Sequence, residues 1–242
     1  MSAVGDLGWL GVVRHGQSTG NVQAQLAEQA GLDVIDIAER DADVPLSDLG
    51  RVQARAVGKW LGELGEGERP DLAVVSPYRR TVQTAELALA GTGIDAVFDE
   101  RLRDRELGVL DLLTRKGVQA RLPEEAERRR HLGKLYYRPP GGESWADVLL
   151  RLRSLLGDLR TQRPGGRVVL FGHEAIVLLL RYQIEGLDEE ELMAIAGATA
   201  IANGSVTSWH AEDGRLRLER FNATDHLREA EAPVTRQEDV HG

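Results

Sequence analysis

Residues 9–21, Trp9-Leu10-Gly11-Val12-Val13-Arg14-His15-Gly16-Gln17-Ser18-Thr19-Gly20-Asn21, decide how the rest of the chain is read. The apolar run from Trp9 to Val13 has the length and composition of a buried strand. It gives way at once to a loop of arginine, histidine, two glycines and small polar side chains. Open α/β sheets place ligands in the crevice beyond the carboxyl ends of their strands, which is where this loop falls. Gly16 and Gly20 allow close approach of backbone to a ligand, and Gln17, Ser18, Thr19 and Asn21 supply polar groups around it.

Working outward, three more apolar runs read as strands: Leu72 to Val75, Ala96 to Phe98 and Val168 to Phe171. Helical periodicity follows the first, second and fourth runs. Leu49, Val52, Ala56, Val57, Trp60, Leu61 and Leu64 form one stripe, and Val82, Ala85, Leu87, Ala88 and Leu89 a second. Ser144-Trp145-Ala146-Asp147 has capping-box spacing and opens a third helix through Leu159, and a fourth runs from Ala175 to about Ile184. Strands alternating with helices predict a three-layer α/β/α sandwich with a mainly parallel central sheet. Ser205 to His210 and Leu216 to Phe221, on either side of Glu-Asp-Gly, predict a hairpin at one edge. One domain over 1–226 is expected, with a polar, frayed tail over 227–242. Residues 22–45 and about 112–143 are long for connections and are expected to cover the mouth of a site. The second is lid-like and carries Arg128, Arg129, Arg130, His131, Lys134 and Arg138. Its basic face reads either as a solvated helix surface or as a selector of anionic substrates.

The chain has 242 residues, no cysteine and a formal net charge of −9. Disulfides, thiolate catalysis and cysteine-held zinc are excluded. So acidic a chain argues against nucleic-acid binding. No apolar run nears the roughly 20 residues that span a bilayer, and the N-terminus lacks the basic segment of a signal peptide, so a cytoplasmic protein with no membrane partner is expected. An acidic protein that binds an anion must gather its arginines in one place.

The string Arg14-His15-Gly16-Gln17-Ser18-Thr19-Gly20-Asn21 resembles the signature of the histidine phosphatase superfamily, which also contains the cofactor-dependent phosphoglycerate mutases. Further landmarks follow in the family's order. Leu46-Ser47-Asp48-Leu49-Gly50 resembles the opening of its first long helix, and Ser76 to Glu86 its second arginine segment, with Arg80 at the matching position. Gly172-His173-Glu174 resembles its second histidine motif. The resemblance implies a phosphoglycerate mutase-like fold and a phosphohistidine on His15. It also implies a phosphate site of Arg14, Asn21, Arg80 and His173, with no cofactor and a small phosphorylated substrate.

The chemistry of the residues agrees. Phosphoryl transfer gathers negative charge on three equatorial oxygens, which guanidinium groups hold in two-point contacts. A neutral imidazole can attack through one nitrogen while the other is held by a hydrogen bond. His-Glu-x-x-His spacing and compact Asp/His clusters are missing, so no metal is expected. The general acid is less plainly written. The region reads Leu102-Arg103-Asp104-Arg105-Glu106-Leu107-Gly108, where the family generally has a glutamate two residues after a leucine. Asp104 takes that place, Glu106 is the alternative, and either would need a raised pKa. Glu174 is expected to anchor an arginine or to cap the next helix. Phosphomonoester hydrolysis is the leading activity. A mutase is the runner-up, its usual Asn-Glu-Arg-His-Tyr-like string being replaced here by Arg-Asp-Arg-Glu-Leu. A phospho-ligand-binding scaffold is the non-enzymatic alternative.

Overall fold

In the computed structural model, which describes residues 6–236, six strands form one sheet in the order β3-β2-β4-β1-β5-β6. The first four are parallel: β1 (Trp9–Arg14), β2 (Leu72–Val75), β3 (Asp95–Phe98) and β4 (Arg167–Gly172). The hairpin β5 (Val206–Glu212) and β6 (Arg215–Ala223) adds to β1 antiparallel. Asp213 and Gly214 turn it with φ of 50° and 74°, the positive values that a two-residue hairpin loop demands.

Alternation along the strands sorts side chains into two cores. Leu10, Val12, Val74, Val168 and Leu170 face α6 (Trp145–Gln162) and α7 (Glu174–Glu185). Val13, Ala73, Val75, Val169 and Phe171 face α2 (Asp48–Glu63) and α3 (Arg79–Leu89). The expected three layers are therefore present. Gly11 has to be bare because a Cβ there would meet the Trp9 ring at 2.2 Å. Helix starts follow the sequence: Ser47 accepts from Gly50 N at α2, and Ser144 and Asp147 close a capping box at α6.

The two long connections pack on each other above the carboxyl edge of the sheet. The first contains α1 (Thr19–Gln29) and a 3-10 turn over Asp41–Asp43, and the second contains α4 (Arg115–Arg121) and α5 (Pro123–Tyr136). Ile35 N donates to Leu112 O at 2.8 Å, and Val34 packs with Leu110, Leu113, Val118 and Tyr137 in a small satellite core. The basic face of α5 is divided between solvent and the wall of the site. Arg128 pairs with Glu125 and Arg130 with Glu127 one turn away, whereas Lys134 lies over the ring of Trp145, a residue of the pocket wall.

Residues 227–236 depart from the expected frayed tail. Helix α9 (Asp225–Glu229) buries Leu227 completely, Ala232 packs beside it on Ala56, and Gln53 Nε2 donates to Pro233 O at 2.8 Å. Apolar anchors only five residues apart hold a short segment whose polar composition suggests solvent. The rest of that expectation, 237–242, lies outside the described residues. Among the described residues no helix is long and apolar enough to cross a membrane.

Candidate active site

Parallel strands put their carboxyl ends on one side of the sheet, and four of them deliver the site. β1 ends at Arg14 and passes to His15; β4 ends at Gly172 and passes to His173. Because Arg14 stands opposite Gly172 in the register, the two histidines follow side by side, with ring centroids 5.3 Å apart. β2 leads to Ser76, Tyr78 and the first turn of α3, where Arg80 lies. β3 leads through a 3-10 turn to Asp104.

His15 is buried, and its Nδ1 lies 2.7 Å from Gly16 O. A carbonyl can only accept, so Nδ1 carries the proton and Nε2 keeps its lone pair. Burial, and then the neighbouring Arg80, His173 and Arg14, hold its pKa well below the usual histidine value. His15 is neutral across the physiological range, as a nucleophile has to be.

Arg14 and Arg80 are both buried. Nη1 of Arg14 donates to Ile201 O and lies 3.3 Å from Glu174 Oε2, so Glu174 does anchor an arginine. Arg14 Nε is buried without a hydrogen-bond partner. His173 is fully buried, its Nε2 is 2.8 Å from Ser76 Oγ, and its Nδ1 is 3.2 Å from Asp104 Oδ2 without hydrogen-bond alignment. Native proteins rarely leave buried donors unsatisfied. Arg14 Nε is such a donor on the residue next to His15, where an anion could accept from it.

Asp104 Oδ2 also accepts from Arg80 Nη2 at 3.0 Å. Burial pushes its carboxyl up, but His173, Arg80 and His15 outweigh this and hold it well below the usual carboxylate range. A raised value was expected for an acid, and the free site has the opposite because three cationic or donor groups face one carboxylate. Glu106 points elsewhere: it is exposed and accepts from Tyr78 OH at 2.9 Å.

The signature loop divides between function and support. Ser18 caps α1 and exchanges bonds with Asn21, whose Oδ1 accepts from Ser18 N at 3.0 Å and Asn203 Nδ2 at 3.2 Å. That fixes which way the amide nitrogen of Asn21 is turned. Asn21, Ser18 and Gly20 line the pocket with Arg14, His15, Arg80, Asp104, Arg105 and Glu174. Gln17 and Thr19 do not; they bond to Ser47 and Pro45 at the start of α2. Gly16 is bare for a different reason from close approach to a ligand: a Cβ there would meet Gly50 O at 2.4 Å. His173 does not line the pocket; it is fully buried with its Nδ1 3.2 Å from Asp104 Oδ2.

Several supporting residues hold these groups in place, and of them Asp41 escaped the sequence reading. Ser76 orients His173, and Thr84 Oγ1 accepts from Gly16 N at 3.1 Å. Glu143 takes Arg103 at 2.6 Å, Arg151 at 3.1 Å and Glu106 N at 3.2 Å, bracing the loop that carries Asp104. Asp41 binds Arg80. A carboxylate on a surface-like loop has no signal of its own; only the fold shows which arginine it meets. Among the described residues, no group of three or more His, Asp or Glu side chains is placed to hold a metal ion.

The model of the histidine phosphatase superfamily, branch 1, matches residues 10–224. The chain belongs to that superfamily. A glucosyl-3-phosphoglycerate phosphatase of Mycobacterium tuberculosis is 32% identical over 88% of this chain and 93% of its own. A probable phosphoglycerate mutase of Salmonella paratyphi C is 30% identical over 73% and 74% of the two chains. The solved native structure of the mycobacterial phosphatase superposes with a TM-score of 0.72 at 30% identity, covering 89% of this chain and 99% of that one. This histidine phosphatase thus has the phosphoglycerate mutase-like α/β fold, with Arg14, His15, Arg80 and His173 beyond the carboxyl ends of its parallel strands.

Proposed function

We propose that this histidine phosphatase hydrolyses small phosphomonoesters without a cofactor, through a phosphohistidine on His15. One observation carries the reading: a neutral, buried His15, its Nε2 lone pair set by the Nδ1 bond to Gly16 O, stands between the buried guanidinium groups of Arg14 and Arg80. Nε2 attacks phosphorus as the bond to the ester oxygen breaks. Arg14, Arg80 and Asn21 hold the equatorial oxygens where the charge gathers, and the Nδ1 donor of His173 adds to them from behind. Asp104 gives its proton to the departing oxygen. A bound phosphate dianion shares Arg80 and brings negative charge next to Asp104, which raises the carboxyl that the free site holds low. Water then attacks the phosphohistidine, Asp104 takes the water's proton, and inorganic phosphate leaves a neutral His15.

The leaving group faces Ile35, Ile37 and Leu112 together with Glu39 and Asp111. A wall of mixed apolar and acceptor groups suits a hydroxylated small molecule, in keeping with the sugar-bearing phosphoglycerate named for the mycobacterial relative. A cytoplasmic setting, where such metabolites are made and used, is part of the proposal. The mutase reading has the Salmonella relative in its favour. A panel of phosphorylated metabolites, run on wild type and His15→Ala with EDTA throughout, tests both readings. Phosphate release that EDTA spares and His15→Ala abolishes is expected. Fast phosphoglycerate interconversion with little release would overturn hydrolysis in favour of the mutase. Phosphate binding with no turnover of any ester would leave a scaffold.

A further inference from the structure

The four terminal N–H groups of Arg80 are all engaged in the free protein. Nη1 donates to Asp41 O at 2.6 Å and Asp41 Oδ1 at 2.9 Å; Nη2 donates to Asp41 Oδ2 at 3.1 Å and Asp104 Oδ2 at 3.0 Å. A carboxylate that grips a guanidinium through both nitrogens makes the same two-point contact as a phosphoryl group. Asp41 therefore sits where substrate oxygens would have to bind. An ionised carboxylate and a phosphate dianion repel at such range, so one must leave.

The two partners are not equally free to move. Arg80 has a side chain 5% exposed, whereas that of Asp41 is 47% exposed. Asp41 opens the short 3-10 turn to Asp43, and its N-cap Arg40 makes no side-chain cap bond. Buried Ile35 and Val44 pin the strap on either side, while Asp36 and residues 38–41 between them are exposed. Turning the Asp41 carboxylate into water costs little packing.

We infer that Asp41 is an internal competitor for the phosphoryl site: its carboxylate occupies Arg80 in the free enzyme and a phosphoryl group has to displace it. Free phosphate, with nothing else to offer, displaces it poorly. An ester meets the same competition, and its packing on Ile35, Ile37 and Leu112 acts independently of it, so the device lowers the affinity of every phosphoryl ligand by one factor. The inference rests on Arg80 being the phosphoryl site of the proposed function.

Calorimetric titration of inorganic phosphate into wild type, Asp41→Asn, Asp43→Asn and Arg80→Gln tests it, with thermal melts showing each variant folded. Asp43 lies in the same turn, carries the same charge, bonds Arg40 Nε at 2.7 Å and has no bond to Arg80, so its variant reports the general loss of negative charge. If the Arg80 site is open in about a tenth of wild-type molecules, freeing it tightens apparent binding about tenfold. That gain is expected in Asp41→Asn, with little change in Asp43→Asn and loss in Arg80→Gln. Unchanged or weaker binding by Asp41→Asn would overturn the inference, as would an equal gain in Asp43→Asn. Equal binding by wild type and Arg80→Gln would overturn the phosphoryl site itself; loss in Arg80→Gln with no gain in Asp41→Asn would overturn the role of Asp41 alone.

Discussion

Replacing Asp104 by asparagine separates the proton from the shape of the site. Oδ2 meets both Arg80 Nη2 at 3.0 Å and His173 Nδ1 at 3.2 Å, and an amide oxygen can keep both contacts. Oδ1 accepts from Arg105 N at 2.9 Å, and an amide nitrogen there sets donor against donor. That clash costs about 1–3 kcal/mol of stability, a fall in Tm of about 2–4 °C for each kcal/mol in a chain of this size. The chemical loss is larger and selective. A positioned general acid contributes about 10²–10⁴ in rate, or about 3–5 kcal/mol of barrier. Only leaving groups that need a proton should feel it. Measured as kcat/KM, which reports transfer to His15 and not the later hydrolysis, over a series from nitrophenyl to alkyl phosphates, Asp104→Asn is expected to lose a few-fold at the activated end and about 10²–10⁴ at the alkyl end. The same loss along the whole series would refute proton donation and leave Asp104 as a residue that positions Arg80. Leaving-group dependence appearing in Glu106→Gln instead would move the acid to Glu106.

Three further outcomes are expected. His15, His173 and His226 all have pKa values lowered first by burial, so the unfolded chain, near the ordinary value of about 6.5, takes up protons that the folded one refuses. Their stabilisation is complete above about pH 6.5 and is lost as pH falls toward the folded values; a Tm that stays flat from pH 7 to about pH 5 would contradict this. Glu143→Ala leaves Arg151, whose side chain is 9% exposed, without its carboxylate, which should cost about 1–3 kcal/mol in denaturant unfolding and lower turnover of alkyl phosphates by loosening the Asp104 loop. No loss of alkyl phosphate turnover would remove the bracing role. Leu227→Ala should cost about 2–4 kcal/mol because that side chain is completely buried, and a cost under about 0.5 kcal/mol would mean that the segment is not docked.

Some of the site was legible because its residues sit beside strong local signals. Arg14 and His15 follow an apolar strand directly, and His173 follows another, so strand ends and loop composition located both. Arg80 needed the spacing of its flanking serine and threonine. Those two turn out to matter in their own right, Ser76 holding His173 and Thr84 holding Gly16 N. Asp104 was placed by position alone, and its environment was misjudged. The charge of Arg80 and the nearness of His173 come from segments 24 and 69 residues away, and no local pattern encodes them.

The order of apolar runs and their periods determined the layers of this protein, because burial of one helix face or of alternate strand residues is written every two to four positions. The same local chemistry brought a nucleophile and its glycine-rich loop to a strand end. Contacts between distant segments were left to the tertiary structure: Asp41 on Arg80, Glu143 beneath the loop that carries Asp104, and Gln53 on the C-terminal segment. The physical reason is range. A charge or a hydrogen-bonding group acts over a few ångströms of space, and which groups lie within those few ångströms is set by how the layers pack.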